Sequence, residues 1–193
     1  MREKILYFDC SAGISGDMTL GALIDLGADK KVFLTELEKL HLEGYEIAFE
    51  TTQRNAITAT HVNVILTGQE QAHDHTHIHE HIHDHGHTHE HDHEHSHDHE
   101  RGHFHRSFRD IRQMIQNSEL SKEVKDLSLR IFTRVARAEA KVHHKDMEEV
   151  QFHEVGAVDS IVDIVGSAIL ITMLKPDRIC ASVVQDGHGF VHC

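Results

Sequence analysis

The chain has 193 residues, with 19 basic and 32 acidic side chains and a formal net charge of −13. This acidic balance argues against a protein that binds the phosphate backbone of nucleic acids. No apolar run reaches the length of a membrane span, and the first residues lack the apolar segment of a secretory signal. The 3 cysteines show no paired spacing, which argues against a disulfide framework. We therefore expect a cytoplasmic protein.

The first part of the chain predicts a strand, two helices and a hairpin. The apolar run Ile5–Phe8 is typical of a buried strand, and the apolar spacing that follows predicts a helix ending at Gly27. Asp29 is placed to cap a second helix. Apolar and polar residues alternate over 45–49 and 62–66, which predicts two strands joined as a hairpin.

The last part of the chain predicts three helices and a strand. Ser107 and Ser121 are placed to cap two of the helices. Apolar spacing predicts a third helix from about Asp159 to Leu174, which Pro176 stops, and a last strand over 179–184. The order β-α-α-β-β-insert-α-α-α-β predicts an α+β (mixed α/β) fold, in which helices cover a small mixed sheet.

Residues 71–106 differ in composition from the rest of the chain. They contain eight acids against two arginines, and so carry −6 of the net charge, with only three larger apolar residues. Such a segment cannot bury enough apolar surface to offset the entropy of ordering it. We expect a disordered, metal-binding insert between residues 1–70 and 107–193, which form one domain.

Histidine occupies every odd position of the insert from 73 to 99, and then positions 103 and 105. In extended backbone, alternate side chains lie on one side, so neighbouring imidazoles can bind the same ion. Neutral imidazole suits nickel, copper, zinc and cobalt, and the interleaved carboxylates can support the second ring nitrogen. The expected ligands are His73, His75, His77, His79, His81, His83, His85, His87, His89, His91, His93, His95, His97, His99, His103 and His105. The alternatives are a solubilising acidic linker without a specific role, or an expression tag.

A second group of candidate residues lies between the first strand and the first helix. Asp9 and Asp17 are candidate catalytic residues or cation ligands, and the Cys10 thiolate is a candidate metal ligand. Glycines permit tight turns, and N–H groups at a helix start can bind an anion. The candidate cofactor-binding residues here are Ser11, Gly13, Ser15 and Gly16. The alternatives are an ordinary turn in which Asp17 stabilises the helix dipole, and a structural Cys10.

A third group lies at the start of the predicted helix 159–174. Asp159 and Asp163 are four residues apart on one face of an otherwise apolar helix, where acids are rarely buried unless they are paired or ligating. With His153 and Glu154, they form a candidate catalytic site for metal or acid–base chemistry. His188 is a candidate cofactor-binding residue. The alternatives are a cap at Asp159, a surface Asp163 and an exposed His188.

Two long motifs flank the histidine-rich insert, YFDCSAGISGDM at Tyr7–Met18 and FHEVGAVDSIVDIVG at Phe152–Gly166. Together with the insert, they resemble the LarC family, the nickel insertion proteins for the nickel-pincer nucleotide cofactor of lactate racemase. The resemblance implies a lyase-class chelatase that places Ni(II) in pyridinium-3,5-bisthiocarboxylic acid mononucleotide and forms Ni–S and Ni–C bonds.

The resemblance also implies cofactors and partners. Family members continue beyond this sequence into a C-terminal domain for CTP, a divalent metal (Mn or Mg) and oligomerisation, so the domain would be truncated before that part. The expected partners are nickel, the nucleotide precursor, and that domain or a second chain carrying it, with no nucleic acid and no membrane. An alternative function is nickel storage or delivery without catalysis.

At about four ligands per ion, the sixteen insert histidines predict uptake of about four nickel ions per chain at neutral pH. Lowering the pH below about 6 should release them, because protons compete for the ring nitrogens. Equilibrium dialysis measures both effects, and a chain that lacks residues 71–106 is the control. Absence of nickel uptake by the intact chain at pH 7 contradicts the metal-binding hypothesis.

Overall fold

The computed structural model describes residues 3–54, 56–67, 106–152 and 155–185. Most of the insert, together with the candidate residues His153, Glu154 and His188, lies outside the described residues. The elements are β1 (Ile5–Phe8), α1 (Gly16–Asp25), α2 (Lys30–Glu38), β2 (Tyr45–Arg54), β3 (Ile57–Leu66), α3 (Phe108–Asn117), α4 (Lys122–His143), a 3-10 turn (Met147–Glu149), α5 (Val158–Leu174) and β4 (Arg178–Ala181). The predicted α+β class and order of helices and strands are confirmed.

The described strands form two sheets of two strands each. β1 and β4 are parallel, with Leu6 opposite Ile179. β2 and β3 are antiparallel, with Phe49 opposite Val62. The hairpin strands adjoin in sequence and need only a tight turn, whereas a parallel pair needs a long crossover connection. Here the whole chain between β1 and β4 supplies that connection.

Capping residues set the helix boundaries, as the sequence predicts. Asp29 Oδ1 accepts hydrogen bonds from the N–H groups of the first turn of α2, at 2.8 and 3.0 Å. Ser107 and Asp110 form a capping box at the start of α3, and Ser121 caps α4. Gly27, with φ +108°, follows the end of α1, in a conformation that glycine adopts without strain.

The last strand is shorter than the predicted span of 179–184, because β4 ends at Ala181. Beyond it, the Cys10 N–H donates to the Ser182 hydroxyl at 2.8 Å, and the Gln185 N–H donates to the Cys10 carbonyl at 3.2 Å. These contacts direct the chain along the β1–α1 loop. The prediction was wrong at this end because the apolar pattern continues past the last paired residue.

Helix α5 forms the centre of the hydrophobic core. Ile161, Val165 and Leu170 are fully buried, as expected for a helix that is apolar on nearly every face. The helix packs against α1, α2, α4 and β3. No helix in the described ranges combines the length and the apolar character that a bilayer span requires.

Helix α1 lies directly on β3. A Cβ at Gly21 would lie 2.1 Å from the Thr60 carbonyl oxygen, so the helix and the strand approach through a residue without a side chain. One turn later, Asp25 accepts hydrogen bonds from the Thr60 N–H at 2.8 Å and from its hydroxyl at 2.7 Å. These bonds lower the pKa of Asp25. Together, the contacts fix α1 and the loop that precedes it.

Gly21→Ala should lower the free energy of unfolding by about 1–3 kcal/mol, because the added methyl group meets backbone that cannot rotate away. Intrinsic helix propensity alone predicts the opposite sign, a gain of about 1 kcal/mol. Urea denaturation measures the difference. Ala22→Ser, at an exposed position of the same helix, is the control and should change stability by about 0.5 kcal/mol or less. Equal or greater stability of Gly21→Ala contradicts the close packing.

Candidate functional site

The two sequence motifs meet where Gly16 contacts Asp163. Gly16 is the first residue of α1, and Asp163 projects from α5. A Cβ at residue 16 would lie 2.1 Å from Asp163 Oδ2 and 2.5 Å from Asp163 Cβ. Only a residue without a side chain fits in that space, so Gly16 of the first motif and Asp163 of the second lie in one region of the surface.

Asp163 is half-buried, and its Oδ1 atom is buried without a hydrogen-bond partner among the described residues. Burial, with the negative charges of Asp17 and Asp159, raises the pKa of Asp163 to about 6, from an ordinary value of 3.8. A carboxyl group with this pKa can accept or release a proton near neutral pH.

Asp159 lies one turn before Asp163, on the same face of α5, as the spacing predicts. Its side chain is exposed, and its Oδ1 accepts a hydrogen bond from the Ser160 N–H at 2.8 Å. The helix begins after Ala157, whose side chain makes no capping bond, so Asp159 is not the cap. Its charge acts on Asp163 instead.

Asp17 connects the two acids of α5, Asp159 and Asp163, to the hairpin formed by β2 and β3. The Ser15 hydroxyl donates a hydrogen bond to Asp17 Oδ1. Asp17 Oδ2 lies 3.9 Å from His61 Nε2, and His61 Nδ1 lies 3.8 Å from Glu50 Oε2. A histidine on β3 is therefore placed between two carboxylates at the edge of the site.

The sequence patterns did not identify His61 as a site residue. Alternation with the buried Val62 places His61 on the other face of β3, but a single histidine in a strand forms no motif. Only the packing of α1 on β3 brings it within reach of Asp17, and no local signal specifies that packing.

The loop between β1 and α1 leaves the start of α1 open. The N-cap residue Ser15 makes no side-chain capping hydrogen bond to the helix backbone, and its hydroxyl donates to Asp17 instead. The first N–H groups of a helix have no partner within the helix. Gly13, with φ +86°, closes a tight turn in which its N–H donates to the Cys10 carbonyl at 3.1 Å. Anion binding at this helix start stays a prediction.

Asp9 and Ser11 form a separate, exposed turn at the beginning of this loop. The Ser11 N–H donates to Asp9 Oδ1 at 3.1 Å, and hydrogen bonds from Ser11 lower the pKa of Asp9. Asp9 is not among the groups that shift the pKa of Asp163. The structure therefore places Asp9 near the loop but does not join it to the pair formed by Asp17 and Asp163.

Cys10 is buried, and its Sγ lies 3.8 Å from the Phe8 carbonyl oxygen. It is a free thiol, as is Cys180. Across residues 3–54, 56–67, 106–152 and 155–185, no three His, Cys, Asp or Glu side chains converge into a metal site. Metal binding by Cys10 and by the acids stays a prediction, and it would need ligands from outside these ranges.

Comparison with known proteins identifies relatives. Residues 6–193 match the family model described as nickel insertion protein. The pyridinium-3,5-bisthiocarboxylic acid mononucleotide nickel insertion protein of Clostridium acetobutylicum is 56% identical over 199 residues, which cover 98% of this chain and 46% of the relative. The protein of the same name from Acetivibrio thermocellus is 48% identical over 190 residues, which cover 98% of this chain and 41% of the relative.

A putative nickel insertion protein of Wolinella succinogenes is 44% identical over 191 residues, which cover 98% of this chain and 40% of the relative. The chain thus spans less than half the length of these curated relatives. No solved structure matches it.

Replacement of Asp163 by Asn should change how stability depends on pH. The pKa of Asp163 is raised in the folded chain, so the folded state favours the protonated form. As the pH rises from about 4 to about 6, the wild type should therefore lose stability relative to Asp163→Asn, and the difference should then stay constant. Urea denaturation across this range measures it.

The control for this experiment is Asp126→Asn, which removes an exposed acid from α4. It should show a smaller pH-dependent difference from the wild type. A titration of the Asp163 carboxyl carbon by NMR should have its midpoint near 6. A midpoint at the ordinary value contradicts the burial and charge clustering of this side chain.

Proposed function

The chain belongs to the nickel insertion protein family, and we propose that it is the nickel-handling part of a chelatase that inserts Ni(II) into pyridinium-3,5-bisthiocarboxylic acid mononucleotide. The reaction would complete the nickel-pincer cofactor of lactate racemase, in the cytoplasm. The contact between Gly16 and Asp163 is the observation that carries the proposal, since it places a carboxyl of raised pKa beside an open helix start.

The chemistry of insertion requires a group that accepts a proton. A bond between nickel and a ring carbon replaces a C–H bond, so the ring proton must leave while the carbon electron pair binds the metal. Asp163 has a pKa of about 6, and a carboxylate with that pKa is mostly ionised at pH 7. We assign it the role of the base that takes this proton.

The substrate is a mononucleotide, and its phosphate needs a binding site. The open start of α1 offers backbone N–H groups and the positive end of the helix dipole. We assign the phosphate to the loop that contains Ser11, Gly13, Ser15 and Gly16. His188 would join this group from outside the described residues.

The remaining acids repel a phosphate but attract a divalent cation, and the nickel ion itself would balance these charges. We assign Asp17 to nickel, since its carboxylate lies at the edge of the site, beside His61. Asp9, Cys10, His153, Glu154 and Asp159 stay candidates for positioning nickel or the nucleotide. The insert histidines would supply the ion.

The part of the relatives that this chain does not match would provide the other functions that the reaction needs. This chain corresponds to less than half of each, so CTP, a divalent metal (Mn or Mg) and oligomer formation are assigned to the unmatched part. Nickel storage or delivery without catalysis is the second candidate function, and the sixteen insert histidines favour it.

Asp163→Asn should slow cofactor formation by about 10²–10⁴-fold, because the variant keeps the shape of the side chain but cannot accept the proton. The assay combines the purified chain, nickel, CTP and the nucleotide precursor with the unmatched part of the family protein as a second polypeptide. Asp126→Asn, which removes an exposed acid of α4 that is not among the groups that shift the pKa of Asp163, should leave the rate unchanged. Full activity of the double variant Asp159→Ala with Asp163→Ala rules out this site.

Deletion of residues 71–106 distinguishes the two candidate functions. If the insert only gathers nickel for a chelatase, the deletion should reduce cofactor formation at scarce nickel and have little effect when nickel is abundant. If the protein only stores or delivers nickel, the deletion should abolish function at every nickel concentration. Cofactor formation measured across a nickel titration gives the answer.

A further inference from the structure

The parallel pair formed by β1 and β4 is a small sheet with open edges. Within the described residues, each of these strands pairs only with the other. Parallel sheets are usually buried on both faces and contain more strands, and a pair of strands alone is marginally stable in water. The pair therefore has the character of a fragment of a larger sheet.

The outer edge of β4 presents backbone groups that point away from β1. The Arg178 N–H donates to the Lys4 carbonyl at 3.3 Å, and the Ser182 N–H donates to the Phe8 carbonyl at 2.9 Å. Backbone N–H and C=O groups alternate between the two sides of a strand. Ile179 therefore directs its N–H and C=O outwards, as does Ala181, and no described strand lies there.

Apolar side chains beside this edge are exposed. Leu6 and Ile179 are register partners on the same face, yet Leu6 is 8% exposed and Ile179 is 47% exposed. The hydrophobic core therefore buries this face of the sheet at β1 but leaves it exposed to solvent at β4. Beyond β4, Val183 is 80% exposed and Val184 is also exposed. Open apolar edges of this kind promote aggregation, so proteins usually cover them.

We propose that the outer edge of β4 pairs with a β-strand from the part of the longer family protein that this chain does not match. The relatives carry more than half of their length outside the match, so they have the material for such a strand. β4 is the last described strand, and the family match continues beyond it to residue 193. Strands that follow one another along a chain often lie next to each other in a sheet, so a strand from the unmatched length of the relatives is a suitable partner for this edge.

The covering strand must place an apolar side chain over Ile179. It would convert the pair into a sheet of at least three strands, and it would join the two parts of the longer protein through main-chain hydrogen bonds. The inference does not depend on nickel chemistry, and its test uses neither nickel nor CTP. The strand pairing can therefore be disproved while the proposed function holds, and the proposed function can be disproved while the strand pairing is found.

Hydrogen exchange with residue resolution tests the pairing. In this chain alone, the amides of Ile179 and Ala181 should exchange as unpaired groups, and the amide of Cys180, which faces β1, should be protected. In the full-length relative from Clostridium acetobutylicum, the positions aligned with Ile179 and Ala181 should exchange at least about 100-fold more slowly. Unprotected amides at both positions in that protein overturn the proposal.

Two other outcomes also overturn it. Protection of Ile179 and Ala181 in this chain alone, at every concentration, means that the chain covers its own edge. Protection that rises with the concentration of this chain means that a second copy is the partner.

A proline placed on the edge sharpens the test. In the full-length relative, proline at the position aligned with Ile179 removes the outward N–H but leaves the bonds to β1, since proline is tolerated where the N–H faces away from the ladder. The position aligned with Ala181 should then lose its protection. Alanine at the position aligned with Ile179 is the control, because it keeps the N–H and should retain most of the protection. Equal protection in the proline and alanine variants contradicts the pairing.

Discussion

The close approach of Asp163 to Gly16 is the constraint on which the candidate site depends. It requires the absence of a side chain at residue 16, and it leaves Asp163 Oδ1 buried without a partner. Such burial is destabilising for the folded chain, because a charged oxygen loses contact with water. The largely apolar packing around α5 stabilises the arrangement and holds the carboxyl in place.

The site combines groups of opposite electrostatic character in a small space. The open start of α1 carries partial positive charge, while Asp17 and Asp163 carry negative charge. A substrate with an anionic group, bound together with a metal cation, satisfies both. The contacts of Gly21 and Asp25 with Thr60 fix α1 on the hairpin, so the relative positions of these groups are set by rigid elements.

The open edge of β4 and the candidate site are connected through the β1–α1 loop. Both backbone groups of Cys10 bond to residues that follow β4, since its N–H donates to Ser182 and its carbonyl accepts from Gln185. The same carbonyl accepts from Gly13, in the turn before α1. A strand added beside β4 would therefore lie next to the strand whose continuation bonds to this loop.

The sequence by itself determined the local structure, because capping and periodicity act over a few residues. Asp29, Ser107 and Ser121 start helices as predicted, and the two motifs alone indicated the family. The tertiary structure decided which groups meet. The contact of Asp163 with Gly16, the position of His61 and the end of β4 at Ala181 all depend on elements distant in sequence. No local pattern encodes such contacts, and the pKa of a carboxyl group follows from the burial and charges that they create.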